Sequence, residues 1–210
     1  MPQKHQPNQA HQSRHPRSCE DLIRIFNHCF EEEFNTRLVK GNDEPVYIPA
    51  NADQSYHAIY FAHGFFSSAL HECAHWFIAG PERRLQEDYG YWYAPDGRNA
   101  EQQLLFQTVE IKPQAIESIL SESAGHPFQI SVDNLSGEPY DTENFKTAVF
   151  QQAEVYRLQG LPKRAERFRQ ALNDFYCKGL SEVLLTGSSI KKTRIRAEII
   201  DNNKVRKAIL

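Results

Sequence analysis

The stretch that most restricts the fold is a run near residue 70, apolar around most of a helix yet carrying three ionisable side chains at its centre. Phe65, Phe66, Ala69, Leu70, Cys73, Ala74, Phe77 and Ile78 surround His71, Glu72 and His75, and Gly80-Pro81 end the run. A helix wrapped in apolar residues belongs inside a protein. Two imidazoles and a carboxylate are costly there unless something satisfies them. Their spacing is H-E-x-x-H, and residues four apart stand on one helix face, so His71 and His75 can converge on one metal ion. Glu72 points elsewhere from the pair but can approach a metal-bound water. A surface helix with two spare histidines is the competing reading, and the apolar flanks argue against it.

The rest of the chain frames this helix. Ser18 and Asp21 read as an N-cap with its acid before Leu22, Ile25, Phe26, Cys29 and Phe30, which predicts an amphipathic helix ending near Phe34. A turn-rich stretch at 41–45 leads to short strands at 46–48 and 57–62, and His63-Gly64 turn into the metal helix, expected over 65–79. Asn99 caps a further helix, and Pro113 predicts a kink or restart near Lys112, with a second run ending at Gly125. Alternation over 128–132 suggests another strand. Helices follow over 142–158 and 162–177, the second opened by Pro162. The fold class expected is α+β: one mainly helical domain over residues 18–178 with a small β-sheet. Residues 1–17 are Gln-, His- and Pro-rich and predict a disordered tail. Residues 179–210 predict a flexible basic tail.

Charge and cysteine usage bear on partners and compartment. The net charge of −3 hides two basic ends, so the body between them is markedly acidic. An acidic body argues against gripping nucleic acid by phosphate contacts and suits cationic partners. Four scattered cysteines without CxxC spacing suggest reduced thiols in the cytoplasm. No apolar stretch approaches the roughly 18 residues of a membrane span.

A third ligand is harder to read. Glu82, Glu87 and Asp88 sit in a charged, solvated stretch, and a helix-dipole role suffices for Glu101. Glu110 is a lone acid between Val109 and Ile111 beside the proline. It either aims at the metal from a buried helix end or pairs with Lys112 in solvent. His63, at a strand–helix junction, is either a structural turn histidine or a contact to the site. Tyr89, Tyr91, Trp92 and Tyr93 either fill core or wall a pocket. His28 and His126 read as structural.

With these residues in view, the chain resembles the bacterial elongation factor P hydroxylase family. The matching stretches are FNTRL at 34–38, GxDEP at 41–45, FAHGF at 61–65, HExxH at 71–75, IAG at 78–80, GYWY at 90–93, PDGR at 95–98, VExKPQA at 109–115 and DNL at 133–135. They run in order from about residue 20 to 177. The resemblance implies a non-haem Fe(II) oxygenase, a monooxygenase that uses dioxygen to hydroxylate a β-lysylated lysine of elongation factor P. It also implies that His71, His75 and Glu110 coordinate the metal, which makes Glu72 an acid beside the metal or a partner of its bound water; Glu72 and, from its place at the turn, His63 are the catalytic candidates. Two histidines and one carboxylate leave three faces of an octahedral ferrous ion for other ligands. The helix-borne site shares its layout with zinc proteases (zincins). A zinc metallopeptidase using Glu72 as general base is therefore the alternative, and a non-catalytic module binding the translation factor is a third reading.

Overall fold

The computed structural model describes residues 17–89, 97–132 and 142–178. Helix α1, Cys19–Phe34, begins at Ser18, whose hydroxyl accepts from the Asp21 amide, and buries Leu22, Ile25, Phe26, Cys29 and Phe30. It ends at Asn35, whose left-handed φ of 49° turns the chain straight into strand β1, Thr36–Lys40. Strand β2 spans Val46–Ile48 and β3 spans His57–Phe61. The three form a mixed sheet in the order β1-β3-β2, with β3 central, parallel to β1 and antiparallel to β2. In register, Thr36 faces His57 and Lys40 faces Phe61, while Val46 pairs with Tyr60. The expected strands at 46–48 and 57–62 are present. β1 was not anticipated.

From β3 the chain enters α2, Phe66–Ile78, through His63 and Gly64, both in the left-handed region at φ 51° and 75°. Glycine suits position 64 because side chains rarely adopt its φ of 75°. A 3-10 turn, Arg83–Leu85, follows. Helices α3, Ala100–Ala124, α4, Thr142–Gln159, and α5, Lys163–Tyr176, complete the described fold. It is mainly helical with a small three-stranded sheet, as the sequence indicated.

Two expectations need correction. Pro113 does not interrupt its helix: α3 runs as one element with a full capping box between Asn99 and Gln102. The proline costs the Val109 carbonyl its intrahelical donor, and the buried side chains from Phe106 to Ala124 hold the helix together across it. The segment 128–132 is not a strand. Phe128, Ile130 and Val132 do point the same way, into an apolar cluster with Ala115, Ile119, Phe145, Val149 and Ala153. The alternation therefore reports a real face, but it packs on helices. A side chain replaces the missing strand partner: Gln114 Nε2 donates to Ser131 O at 2.7 Å, and Ser131 N donates to Gln114 Oε1 at 3.1 Å. A β-prone run at 182–185, most of the aromatic run at 89–93 and nearly all of both tails lie outside the described residues.

The main core lies between α1, the sheet, α2 and α5. Phe26, Phe30, Trp76, Phe77 and Phe168 meet there with ring centroids 4.8–6.2 Å apart. Arg164 of α5 fixes the far end of α2. Its Nη2 lies 2.7–3.1 Å from the carbonyls of Trp76, Phe77 and Ala79, and its guanidinium sits 4.5 Å from the Trp76 ring. A cation on a helix C-terminus satisfies carbonyls that lack donors and complements the helix dipole. Helix α2 is thus held by the core on one side and by α3 on the other. At the opposite end of α3, Arg17 Nε donates to Ala124 O at 2.7 Å.

Candidate metal centre

Helices α2 and α3 pack so that the histidine face of one meets a polar stripe of the other. Glu110, Gln114 and Glu117 stand at i, i+4 and i+7 on α3, which places them on one face. All three are buried, in a helix half of whose buried residues are polar. Opposite them, His71 and His75 project from α2, and the groups converge. His71 Nε2 lies 3.0 Å from His75 Nε2, 3.4 Å from Glu110 Oε2, and His75 Nε2 lies 3.2 Å from Glu110 Oε1. His71, His75 and Glu110 are the group whose ligand atoms could hold a metal ion among the described residues.

The residues fit a metal ion on two counts. Metal–ligand bonds of about 2.1 Å put neighbouring donors roughly 3.0 Å apart in an octahedron and roughly 3.4 Å apart in a tetrahedron. The two imidazole nitrogens are separated by a distance in that interval, and each has one Glu110 oxygen at such a distance, Oε2 for His71 and Oε1 for His75. In addition, Glu110 Oε1 is buried and makes no hydrogen bond. An unsatisfied buried carboxylate oxygen is expensive, and a cation between it and the two imidazoles removes that cost.

Glu117 prepares His71 for this role. His71 Nδ1 lies 2.9 Å from Glu117 Oε2. A carboxylate only accepts, so the ring donates from Nδ1, and Nε2, which faces His75 and Glu110, is the nitrogen left to offer a lone pair to a metal. Carboxylates behind metal-bound histidines fix the tautomer in this way. The sequence reading passed over Glu117. The available signal was its place seven residues after Glu110, an acid among Ala115, Ile116, Ile119 and Leu120.

Electrostatics reinforce the convergence. Burial pulls the His71 pKa down, but Glu110 and Glu117 outweigh it and raise the group to about 10. Burial pushes Glu110 up, yet His75 and His71 hold it down to about 2. The cluster therefore demands positive charge at its centre, and a metal ion arriving there displaces the His71 proton. For Glu72, burial is the largest influence and raises its pKa. Its carboxylate makes no hydrogen bond or ion pair with a described residue. It lines a narrow cleft that also reaches His75.

The other candidates fall outside the cluster. His63 is exposed on the turn before α2, with its ring 5.7 Å from Phe65. His126 shares a 2.9 Å contact with Ser67 Oγ. Glu82, Glu87 and Glu101 are exposed, and Asp88 pairs with Arg83. Tyr89 is about half exposed, while 91–93 lie outside the described residues. All four cysteines are free, and no helix among the described residues is long and apolar enough to cross a membrane.

Fold and site together define a mainly helical protein with a buried two-histidine, one-glutamate group able to hold a metal ion across two helices. The chain belongs to the elongation factor P hydroxylase family, whose model matches residues 25–184. It is similar to the elongation factor P lysine hydroxylase of Haemophilus influenzae. The two are 62% identical over 157 residues, which cover 75% of this chain and 88% of that protein. The matched span includes both metal-facing helices.

Proposed function

We propose that this chain is an iron-dependent oxygenase of the cytoplasm that hydroxylates a lysine side chain of elongation factor P, the lysine bearing a β-lysyl extension. The observation that carries the reading is the buried His71–His75–Glu110 group in a chain of the elongation factor P hydroxylase family. Fe(II) held by that group would activate dioxygen, one oxygen atom entering a C–H bond and the other leaving as water with two protons and two electrons from an external reductant.

The chain's own residues perform the positioning. His71 and His75 offer ring nitrogens from one rigid helix, and Glu110 offers an anionic oxygen from the next. Glu117 keeps the His71 proton on Nδ1, away from the ligand atoms. Three protein ligands leave three octahedral positions for other ligands. The apolar residues of α2 exclude water, which strengthens these charged contacts. Family membership favours this reaction over peptide hydrolysis with Glu72 as base.

The test incubates the purified protein with Fe(II), a reductant, dioxygen and β-lysylated elongation factor P, and measures the mass of the modified lysine. A gain of one oxygen is expected, with none after His71→Ala. Protein that holds only zinc and yields no gain overturns the proposal.

A further inference from the structure

Gln114 is the residue of the α3 stripe that touches both the metal-facing carboxylate and a neighbouring segment, and it is fully buried like Glu110. Its amide has one possible orientation. The Ser131 amide only donates and the Ser131 carbonyl only accepts, so Gln114 Oε1 faces the first, at 3.1 Å, and Nε2 the second, at 2.7 Å. The other hydrogen of Nε2 is left for Glu110 Oε2, 3.4 Å away. A flipped amide would set an oxygen against both that carboxylate and the Ser131 carbonyl.

The two oxygens of Glu110 are therefore unlike. Oε2 has Gln114 as donor, whereas Oε1 is buried without a hydrogen bond and lies 3.2 Å from His75 Nε2. His71 Nε2 is also 3.4 Å from Oε2, but that nitrogen gives up its proton when a metal binds. Gln114 is then the donor that Oε2 keeps among the described residues. The backbone adds to this dependence. Pro113 has no N–H, so the turn that carries Glu110 lacks the bond from position 113 to the Val109 carbonyl. Gln114, pinned at Ser131, restrains the Glu110 side chain across that gap.

From this asymmetry we infer that Gln114 is a positioning residue: it holds Glu110 Oε2 on the protein, so that the carboxylate offers the metal a single oxygen, Oε1. The inference rests on the metal centre of the proposed function. A carboxylate can also bind a cation through both oxygens. Beside two imidazoles that would take four octahedral positions, whereas one oxygen leaves three for other ligands. Gln114 acts through Glu110 on how many further ligands the centre admits.

Infrared spectroscopy tests this without turnover. Full-length protein is loaded with Co(II), next to Fe(II) in divalent-metal affinity, and the metal-free spectrum is subtracted. Glu110 bands are those lost in Glu110→Gln. A carboxylate bound through one oxygen shows widely separated asymmetric and symmetric stretches, and one bound through both shows them drawn together. The unaltered protein is expected to show the wide separation. In Gln114→Met, which keeps the length but cannot donate, the stretches draw together and Co(II) affinity falls about 10-fold or more. Gln103→Met is the structural control. Gln103 Nε2 lies 3.3 Å from Val132 O, so this variant loosens the same segment and lowers the urea midpoint, while the Glu110 stretches and the affinity stay as they were. Drawn-together stretches in the unaltered protein overturn the inference, whether or not a variant folds. So does a Gln114→Met spectrum like the parent's, or the same change in Gln103→Met. Absence of any Glu110 band removes the metal centre and the inference with it. The hydroxylase reading fails separately: a wide separation that collapses in Gln114→Met, without oxygen gain on elongation factor P, leaves the positioning role standing and removes only the reaction.

Discussion

His71 Nδ1 lies 2.9 Å from Glu117 Oε2, a contact between α2 and α3 that sets which nitrogen of His71 can face the metal. Removing it frees the ring to rotate or to carry its proton on Nε2. Glu117→Ala is therefore expected to weaken metal affinity about 10- to 100-fold, the usual cost of losing such a partner. Glu117→Gln, whose amide oxygen still accepts from Nδ1, loses less. Chelator competition on the purified variants measures both. Equal affinity in the alanine variant and the parent protein would remove Glu117 from the site.

Metal removal is expected to destabilise the whole protein, because the ligands sit on two helices that share the core. A ligand bound only to the native state at about 100 times its dissociation constant contributes about 2.7 kcal/mol. Chelation should lower the thermal midpoint and re-addition of the ion should restore it. In His75→Ala, chelator should change the midpoint little. Differential scanning calorimetry with and without chelator reads this directly.

How much of this was legible in the sequence depends on where each residue's partner lies. The α2 helix could be read because its spacing and its apolar flanks are local. β1 was not, since Thr36–Lys40 carries two basic residues among five and becomes a strand by pairing with β3, about twenty residues further on. The restart expected near Pro113 does not occur for a similar reason: proline locally disfavours helix, while packing against α2, α4 and α5 keeps α3 continuous. Glu110 stood open on its own residues, and family resemblance placed it with the histidines before the structure brought them together. Glu117 was missed because its partner is 46 positions away on another helix.

Gln114 joins the site to the segment after α3. Its amide pairs in both directions with the Ser131 backbone, and its Nε2 also lies 3.4 Å from Glu110 Oε2. Gln114→Ala removes two hydrogen bonds to the Ser131 backbone, each worth about 0.5–1.5 kcal/mol. The variant should show faster hydrogen exchange at the Ser131 amide and a lower urea midpoint. Unchanged exchange there would mean that the apolar contacts of Phe128, Ile130 and Val132 hold the segment unaided.

His57 gives the fold a dependence on acidity that is separate from that of the metal centre. Its Nδ1 accepts the Ala50 amide at 3.0 Å and its ring stacks on Tyr47 at 6.2 Å, so the folded state requires a bare Nδ1. Burial first, and the Arg84 charge second, hold its pKa below 6.5. His126 is lowered as well, by burial and then by Arg17. Below about pH 6.5 the unfolded chain takes up protons that these folded imidazoles resist, so it binds more protons than the native state. Stability is then present above about pH 6.5 and falls as pH drops through the lowered native values. His57→Phe keeps a ring against Tyr47 but cannot titrate. Its thermal midpoint should be lower than the parent's at neutral pH, through loss of the Ala50 bond, and should decline less between about pH 7 and pH 5. Parallel declines in the two proteins would assign the acid sensitivity to other groups.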